Sequence, residues 1–185
     1  MSQNIRMTVY CCLFAALIVV GTYIKIPIGP VPIVLANFFV ILAGALLGGV
    51  WGTASVGLFL FLGLIGLPVF SQGGGIAALV GPTGGYLFGY LVAAFVAGII
   101  SERGRSRPLL DVAGLAAGAL AIYVLGVPWL KLSLHLSWAK TLSVGVFPFL
   151  IGDAIKVAAA VAIVRVLQSS ARDLFPVLQS RTSDR

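Results

Sequence analysis

The stretch IVLANFFVILAGALLGGVWGTASVGLFLFLGLIGL, Ile33 to Leu67, holds 35 residues and no charge. As one straight α-helix it extends about 52 Å, against about 30 Å for the hydrocarbon core of a bilayer. A helix of a water-soluble protein needs one polar face, and this stretch supplies none. It predicts a hairpin of two transmembrane helices, broken near Gly48-Gly49, the tightest turn signal inside it.

Outward from the hairpin the same block pattern repeats. Toward the N-terminus, Lys25 to Pro32 contains three prolines, which forbid helix and favour an extended segment. Before it, Met7 to Ile24 is an apolar block long enough to span. It lacks the cleavage-site pattern of a secretory signal and is expected to be the first permanent helix. Toward the C-terminus, Pro68 to Pro82 is glycine-rich and includes Ser71-Gln72-Gly73-Gly74-Gly75. Helix four is expected from Thr83 to Ile100, helix five from Leu109 to Val127 and helix six from Phe149 to Leu167. Between the last two, Pro128 to Pro148 alternates apolar and polar residues as a strand does. It also carries the tryptophans and lysines of an interfacial helix, and periodicity does not decide between them. The expected fold is an all-α membrane protein: a bundle of six transmembrane helices in one domain, residues 1–168, with a polar, frayed cytoplasmic tail, residues 169–185.

Composition agrees. Charged residues are 9% of the chain and apolar ones 60%, where a soluble domain has about 25% charged. The net charge of +7 does not point to nucleic acid, because the basic residues stand singly between apolar blocks and form no basic face. Their natural partner is the lipid bilayer, at its cytosolic leaflet. With six spans, Arg6, Arg103, Arg105, Arg107, Arg165, Arg172, Arg181 and Arg185 fall on one side, and Lys25, Lys131 and Lys140 on the other. Eight against three places both termini in the cytoplasm. Cys11 and Cys12 are adjacent in the first apolar block and read as small buried residues, with no disulfide framework or metal set around them.

The remaining basic residue, Lys156, belongs to neither side. It lies in Phe149-Leu-Ile-Gly-Asp-Ala-Ile-Lys-Val157, three residues after Asp153, so both share a face of helix six. Ionisable groups at that depth cost several kcal/mol unless paired or facing a polar cavity. Two readings stand side by side: a structural ion pair, or a binding site that offers an acceptor and donors together, the complement of a cyclic urea. In Gly81-Pro-Thr-Gly-Gly-Tyr-Leu-Phe-Gly-Tyr90, Thr83 is a plausible N-cap. Gly84 and Gly85 would let backbone N–H groups approach a ligand at the positive end of the helix dipole. Tight helix packing explains such glycines equally well, and Gly85 and Gly89 have small-xxx-small spacing. Tyr86 and Tyr90, four apart, would add apolar walls with polar tips. No Walker A sequence, Gly-x-Ser-x-Gly elbow or His-Glu-x-x-His is present, and His135 has no second ligand in its segment. No enzyme is expected, and no cofactor or metal.

Several segments together resemble the BioY family: Val31-Pro-Ile-Val-Leu35 through Leu42-Ala-Gly44, Gly63-Leu-Ile-Gly-Leu-Pro-Val-Phe70, Gly81-Pro-Thr-Gly-Gly-Tyr86, Ile122-Tyr-Val-Leu-Gly-Val127 and Phe147-Pro-Phe-Leu-Ile-Gly-Asp-Ala-Ile-Lys156. BioY proteins are biotin-binding S components of energy-coupling factor (ECF) transporters. The resemblance implies a substrate-capture subunit of the cell membrane, working with a transmembrane coupling protein and two cytosolic ATPases. It implies biotin contacts at Asp153 and Lys156, with Tyr86, Thr83, Gly84, Gly85 and Gly74 lining the pocket. The biotin carboxylate would suit the N-terminus of helix four or Lys25. Two departures accompany it. Val34 and Ala36 stand where family members often carry Thr and Gln, and a shift by one turns the neighbouring Asn37 to another helix face. Small residues four apart on helix one, for docking on the coupling protein, appear as Cys11-xxx-Ala15 and Cys12-xxx-Ala16 rather than Ala-xxx-Ala, so Cys12, Ala15 and Ala16 are the expected docking residues. The alternatives are an S component for another vitamin and, from a different class, an intramembrane enzyme using Asp153 as general acid/base.

Overall fold

The computed structural model describes residues 3–103 and 108–170. The expected frayed tail lies almost wholly outside them, as do Arg105, Arg107, Arg172, Arg181 and Arg185 of the charge count.

In order the chain forms α1 (Gln3–Tyr23), β1 (Lys25–Ile26), β2 (Ile33–Val34), α2 (Ala36–Leu64), α3 (Ile76–Val80), α4 (Gly84–Arg103), α5 (Pro108–Leu134), α6 (Trp138–Gly145) and α7 (Phe147–Ser170). Among the described residues, five helical stretches are long and apolar enough to cross a membrane, α2 being one and α6 with α7 another. Their outer faces are as apolar as their inner ones: Leu109, Ile151, Val50, Val124 and Leu132 are all more than two-thirds exposed. Such surfaces suit lipid and not water.

The expected hairpin is present. Helical geometry fails inside α2 at Gly48, whose φ of 88° and ψ of 173° lie where a side chain is disfavoured. The arms, residues 36–47 and 49–64, fold back on each other. A Cβ on Gly52 would stand 2.6 Å from the Gly44 Cα, an approach that eight residues of straight helix, about 12 Å, would forbid. The first arm is buried almost throughout. The hairpin tip is held by Glu102 near the end of α4, whose carboxylate accepts the Gly49 N–H at 2.9 Å.

Lipid tails are as apolar as leucine, so close backbone approach at small residues must hold these helices together. A Cβ on Gly98 would come within 2.5 Å of the Gly49 Cα, and one on Gly89 within 2.8 Å of the Ile122 carbonyl. The result is a tight trio in which α4 packs along both α2 and α5, with Phe59, Ile18, Leu46 and Leu115 fully enclosed around it.

At the opposite end from the hairpin tip, the proline-bearing segment is extended as expected and forms a small antiparallel ribbon pairing Lys25 with Val34 and Ile26 with Ile33. It is tied to the loop after α2. Thr22 Oγ1 donates to the Val69 carbonyl at 2.8 Å and Gln72 Nε2 to the Pro30 carbonyl at 3.2 Å. Tyr23 and Lys25 donate to the carbonyls of Pro68 and Ser71.

Two boundaries differ from expectation. α5 does not stop at Val127: it continues through Pro128 to Leu134. It ends at His135, whose positive φ of 50° lets the Leu136 N–H reach back to the Lys131 carbonyl at 3.1 Å. The connection that periodicity left open is a helix, α6. The Ser137 Oγ caps its first turn, and Lys131 Nζ stands 5.1 Å from the centre of the Trp138 ring.

Candidate functional site

Four polar side chains from three helices meet inside the bundle. α7 supplies Asp153 and Lys156, whose side chains are only 10% and 12% exposed and whose Oδ1 and Nζ lie 3.1 Å apart. The first turn of α2 supplies Asn37. Its Nδ2 donates to Asp153 Oδ1 at 2.8 Å, while its Oδ1 accepts from Lys156 Nζ at 2.8 Å and from the Phe38 N–H at 3.1 Å. α5 supplies Tyr123, whose hydroxyl donates to Asp153 Oδ2. Lys156 also donates to the Val34 carbonyl of β2 at 2.8 Å. Both carboxylate oxygens therefore accept, and all three ammonium protons have an acceptor. That satisfaction lets two charges exist at this depth.

The network forms one wall of a narrow cavity of about 40 Å³. Val31, Pro32, Tyr86, Tyr90, Ile122 and Phe149 supply most of the remaining lining. The Tyr86 ring meets Tyr123 edge to face, with centroids 6.4 Å apart, and its hydroxyl donates to the Gly145 carbonyl at 2.9 Å. The cavity thus has one wall dense in donors and acceptors and apolar or aromatic walls elsewhere. The lining has the character that a small, flat, largely apolar ligand with a polar edge needs, but the space holds only a few waters, so such a ligand must part the walls to enter. Among the described residues no cluster of three His, Cys, Asp or Glu side chains could hold a metal.

The structure brings together some of the residues singled out in the sequence and not others. Asp153, Lys156 and Tyr86 line the cavity; Thr83, Gly84, Gly85 and Gly74 do not. A Cβ on Gly85 would stand 2.6 Å from the Leu125 carbonyl, and one on Gly84 3.1 Å from Trp129 Nε1. Trp129 covers this end of α4 and donates to the Gly81 carbonyl at 2.9 Å. The packing explanation for these glycines is the one the geometry favours. The Thr83 carbonyl opens α4 by accepting from Tyr86 and Leu87 N–H groups. Gly74 packs on the Leu67 and Gly66 carbonyls, where a side chain has no room. On α1, Cys12 and Ala16 face outward, whereas Ala15 is 2% exposed and turned into the bundle.

Two cavity residues escape a reading of the sequence. Asn37, expected on another helix face, is the hub of the network. The signal available is an amide in an otherwise charge-free, apolar helix. Tyr123 stands in a segment used only for the resemblance; a phenol at mid-helix is its one mark.

The BioY family model matches residues 1–173. A biotin transporter BioY of Thermotoga maritima is 45% identical over 159 residues, which cover 85% of this chain and 93% of that protein. A biotin transporter BioY of Rhodobacter capsulatus is 42% identical over 84% of this chain and 89% of that one. Among solved structures, the S-component for biotin from an ECF-type ABC transporter superposes with a TM-score of 0.84 at 33% identity, covering 92% of this chain and 96% of that one. With the fold and these relatives in agreement, the chain belongs to the BioY family.

Proposed function

We propose that this protein is a biotin uptake subunit, the S component of an ECF-type importer, and that biotin binds in the cavity at Asp153, Lys156, Asn37 and Tyr123. It is a transport protein and not an enzyme. The observation that carries the site is the buried network itself. A ureido ring presents two N–H donors flanking one carbonyl oxygen. Asp153 is the acceptor for the former; the second amide proton of Asn37, or a Lys156 proton exchanged from the Val34 carbonyl, is the donor for the latter, while Tyr123, its one proton on Asp153, holds that carboxylate in place. The aromatic rings of Tyr86 and Tyr90 and the side chains of Val31, Ile122 and Phe149 suit the apolar thioether ring. With Trp129 over the start of α4, Lys25, paired across the ribbon with Val34 of the cavity lining, is the better partner for the carboxylate.

The same reading has six spans, the α2 hairpin counting as two, with both termini in the cytosol. In support, the start and end of α2 both lie beside the end of α1, while the hairpin tip lies beside the end of α4. The α1 face carrying Cys12 and Ala16 would dock on the transmembrane coupling protein, with two cytosolic ATPases beneath, in the cell membrane. Ala15 is left out of that face because it is buried.

Mass spectrometry of small molecules released from purified protein tests the substrate: biotin is expected, and a different vitamin would overturn the assignment. Reporter fusions test the topology. A fusion at the C-terminus should report cytosol and an insertion at Gly74 the outside; an external C-terminus would refute six spans.

A further inference from the structure

A groove of about 600 Å³ runs down the outside of the bundle between α5 and α7. α5 packs along α4 over most of its length but touches α7 only lightly. The reason is in the side chains: Ala116, Ala119, Ala154 and Ala158 face the groove, and methyl groups on both helices do not fill it. At its deep end the groove reaches Tyr123 and Asp153, which therefore have the binding cavity on one side and the groove on the other. At its other end, the row Ala154, Ala158, Val161 on α7 continues at helical spacing to Arg165. Arg165 is exposed, and among the described residues it has no carboxylate partner.

The dimensions match one leaflet. The α7 wall of the groove runs from Leu150 to Val161, about 16 Å along the axis, and one leaflet contributes about 15 Å of a 30 Å hydrocarbon core. The lining stops at Val161, one helical turn short of Arg165; an apolar groove with a guanidinium one turn beyond its end has the polarity of a phospholipid. A partner helix, about 10–12 Å across with its side chains, is too thick for a slot between two helices that already touch.

We infer that the α5/α7 groove binds one anionic phospholipid of the cytosolic leaflet, with an acyl chain along the alanines and the headgroup phosphate at Arg165. This rests on the proposed topology, which places the end of α7 in the cytosol. Guanidinium groups pair with phosphate through parallel N–H···O bonds, and the cytosolic leaflet is the anionic one. The acyl chain backs Tyr123 and Asp153 from the bilayer side, keeps water from their hydrogen bond and props α7 against α5.

Native mass spectrometry of the full chain tests this without reference to biotin, so its failure is separable from failure of the functional reading. Protein delipidated in mild detergent is titrated with phosphatidylglycerol or phosphatidylcholine of identical acyl chains. One phosphatidylglycerol adduct per chain is expected, surviving higher collision energy than phosphatidylcholine. Ala158→Phe, at an exposed position where the ring fills the slot without entering the core, should lower adduct occupancy at least tenfold with the melting temperature preserved. Ala116→Phe from the opposite wall should do the same. Arg165→Gln should keep an adduct but erase the preference for phosphatidylglycerol. Adducts untouched by both phenylalanine variants would overturn the site. So would a photo-crosslinker at position 158 that captures a second copy of the chain instead of lipid.

Discussion

Replacing Asp153 by asparagine together with Lys156 by glutamine separates a ligand site from a merely structural ion pair. Removing one charge alone leaves the other buried without its counter-ion, at a cost on the order of 3–5 kcal/mol whatever the pair is for. Lost binding would then be inseparable from lost fold. The double replacement removes both charges and keeps shape and hydrogen-bonding groups. A glutamine at position 156 still has an N–H₂ for the Val34 carbonyl and the Asn37 Oδ1, two of the three acceptors of the lysine. An asparagine at position 153 still offers an oxygen to Tyr123 or Asn37. Neutral replacements of buried ion pairs are often harmless to stability, so the melting temperature should change little. Ligand binding should change much more, because hydrogen bonds to charged groups contribute about 1.5–3 kcal/mol and neutral ones about half as much or less. Losing about half of that at each of two charged contacts, about 1.5–3 kcal/mol in all, should weaken biotin binding about 10- to 150-fold, at a tenfold step per 1.4 kcal/mol. The assay is calorimetric titration of biotin into detergent-purified protein beside a thermal melt. A well-folded double variant that binds biotin as tightly as the parent would refute the assignment of both residues.

Asn37→Ala takes one hydrogen-bond partner from each charged group, and should lower stability by about 1–3 kcal/mol and weaken biotin binding; a thermal melt and titration at parental values would remove Asn37 from the site. Gly85→Ala places a methyl against the Leu125 carbonyl and Trp129 and should destabilise by about 1–3 kcal/mol while the folded fraction binds biotin normally. A stable variant with impaired affinity would restore Gly85 to the ligand site. Ala16→Trp holds a partner helix away from the outer face of α1; cellular uptake should fall with biotin binding by the isolated protein intact, and parallel loss of binding would mean this face supports the cavity.

Much of the fold is legible in the sequence because bilayer thickness is an external ruler. Thirty-five uncharged residues either fold back or leave the membrane, and Gly48 is where folding back is least costly. The extended ribbon is legible because three prolines leave few alternatives. The end of α5 and the connection to α7 are not. Pro128 lacks an N–H and usually ends a helix, yet α5 runs through it, since neighbouring helices and local adjustment accommodate proline within membrane bundles. A helix of 8 residues such as α6 is too short for its period to be separated from that of a strand.

The site divides along a different line. Asp153 and Lys156 announce themselves, since a charge within a span needs a physical reason, and their three-residue spacing already implies a shared face. Asn37 and Tyr123 are neutral, cost less to bury, and carry no such flag. What makes them part of the candidate site is the register of α2 and α5, set where glycines let both helices meet α4, which brings the two residues beside α7. The glycines show the same limit from the other side. Gly84 and Gly85 correctly signal that something approaches the backbone closely, but only the packed helices show that it is Trp129 and Leu125. A sequence therefore marks the charges of a membrane site and the places of close approach, while the neutral partners that orient those charges follow from packing. This is why the double replacement at Asp153 and Lys156, which leaves Asn37, Tyr123 and the helix contacts in place, tests the chemistry of the site apart from the fold that assembles it.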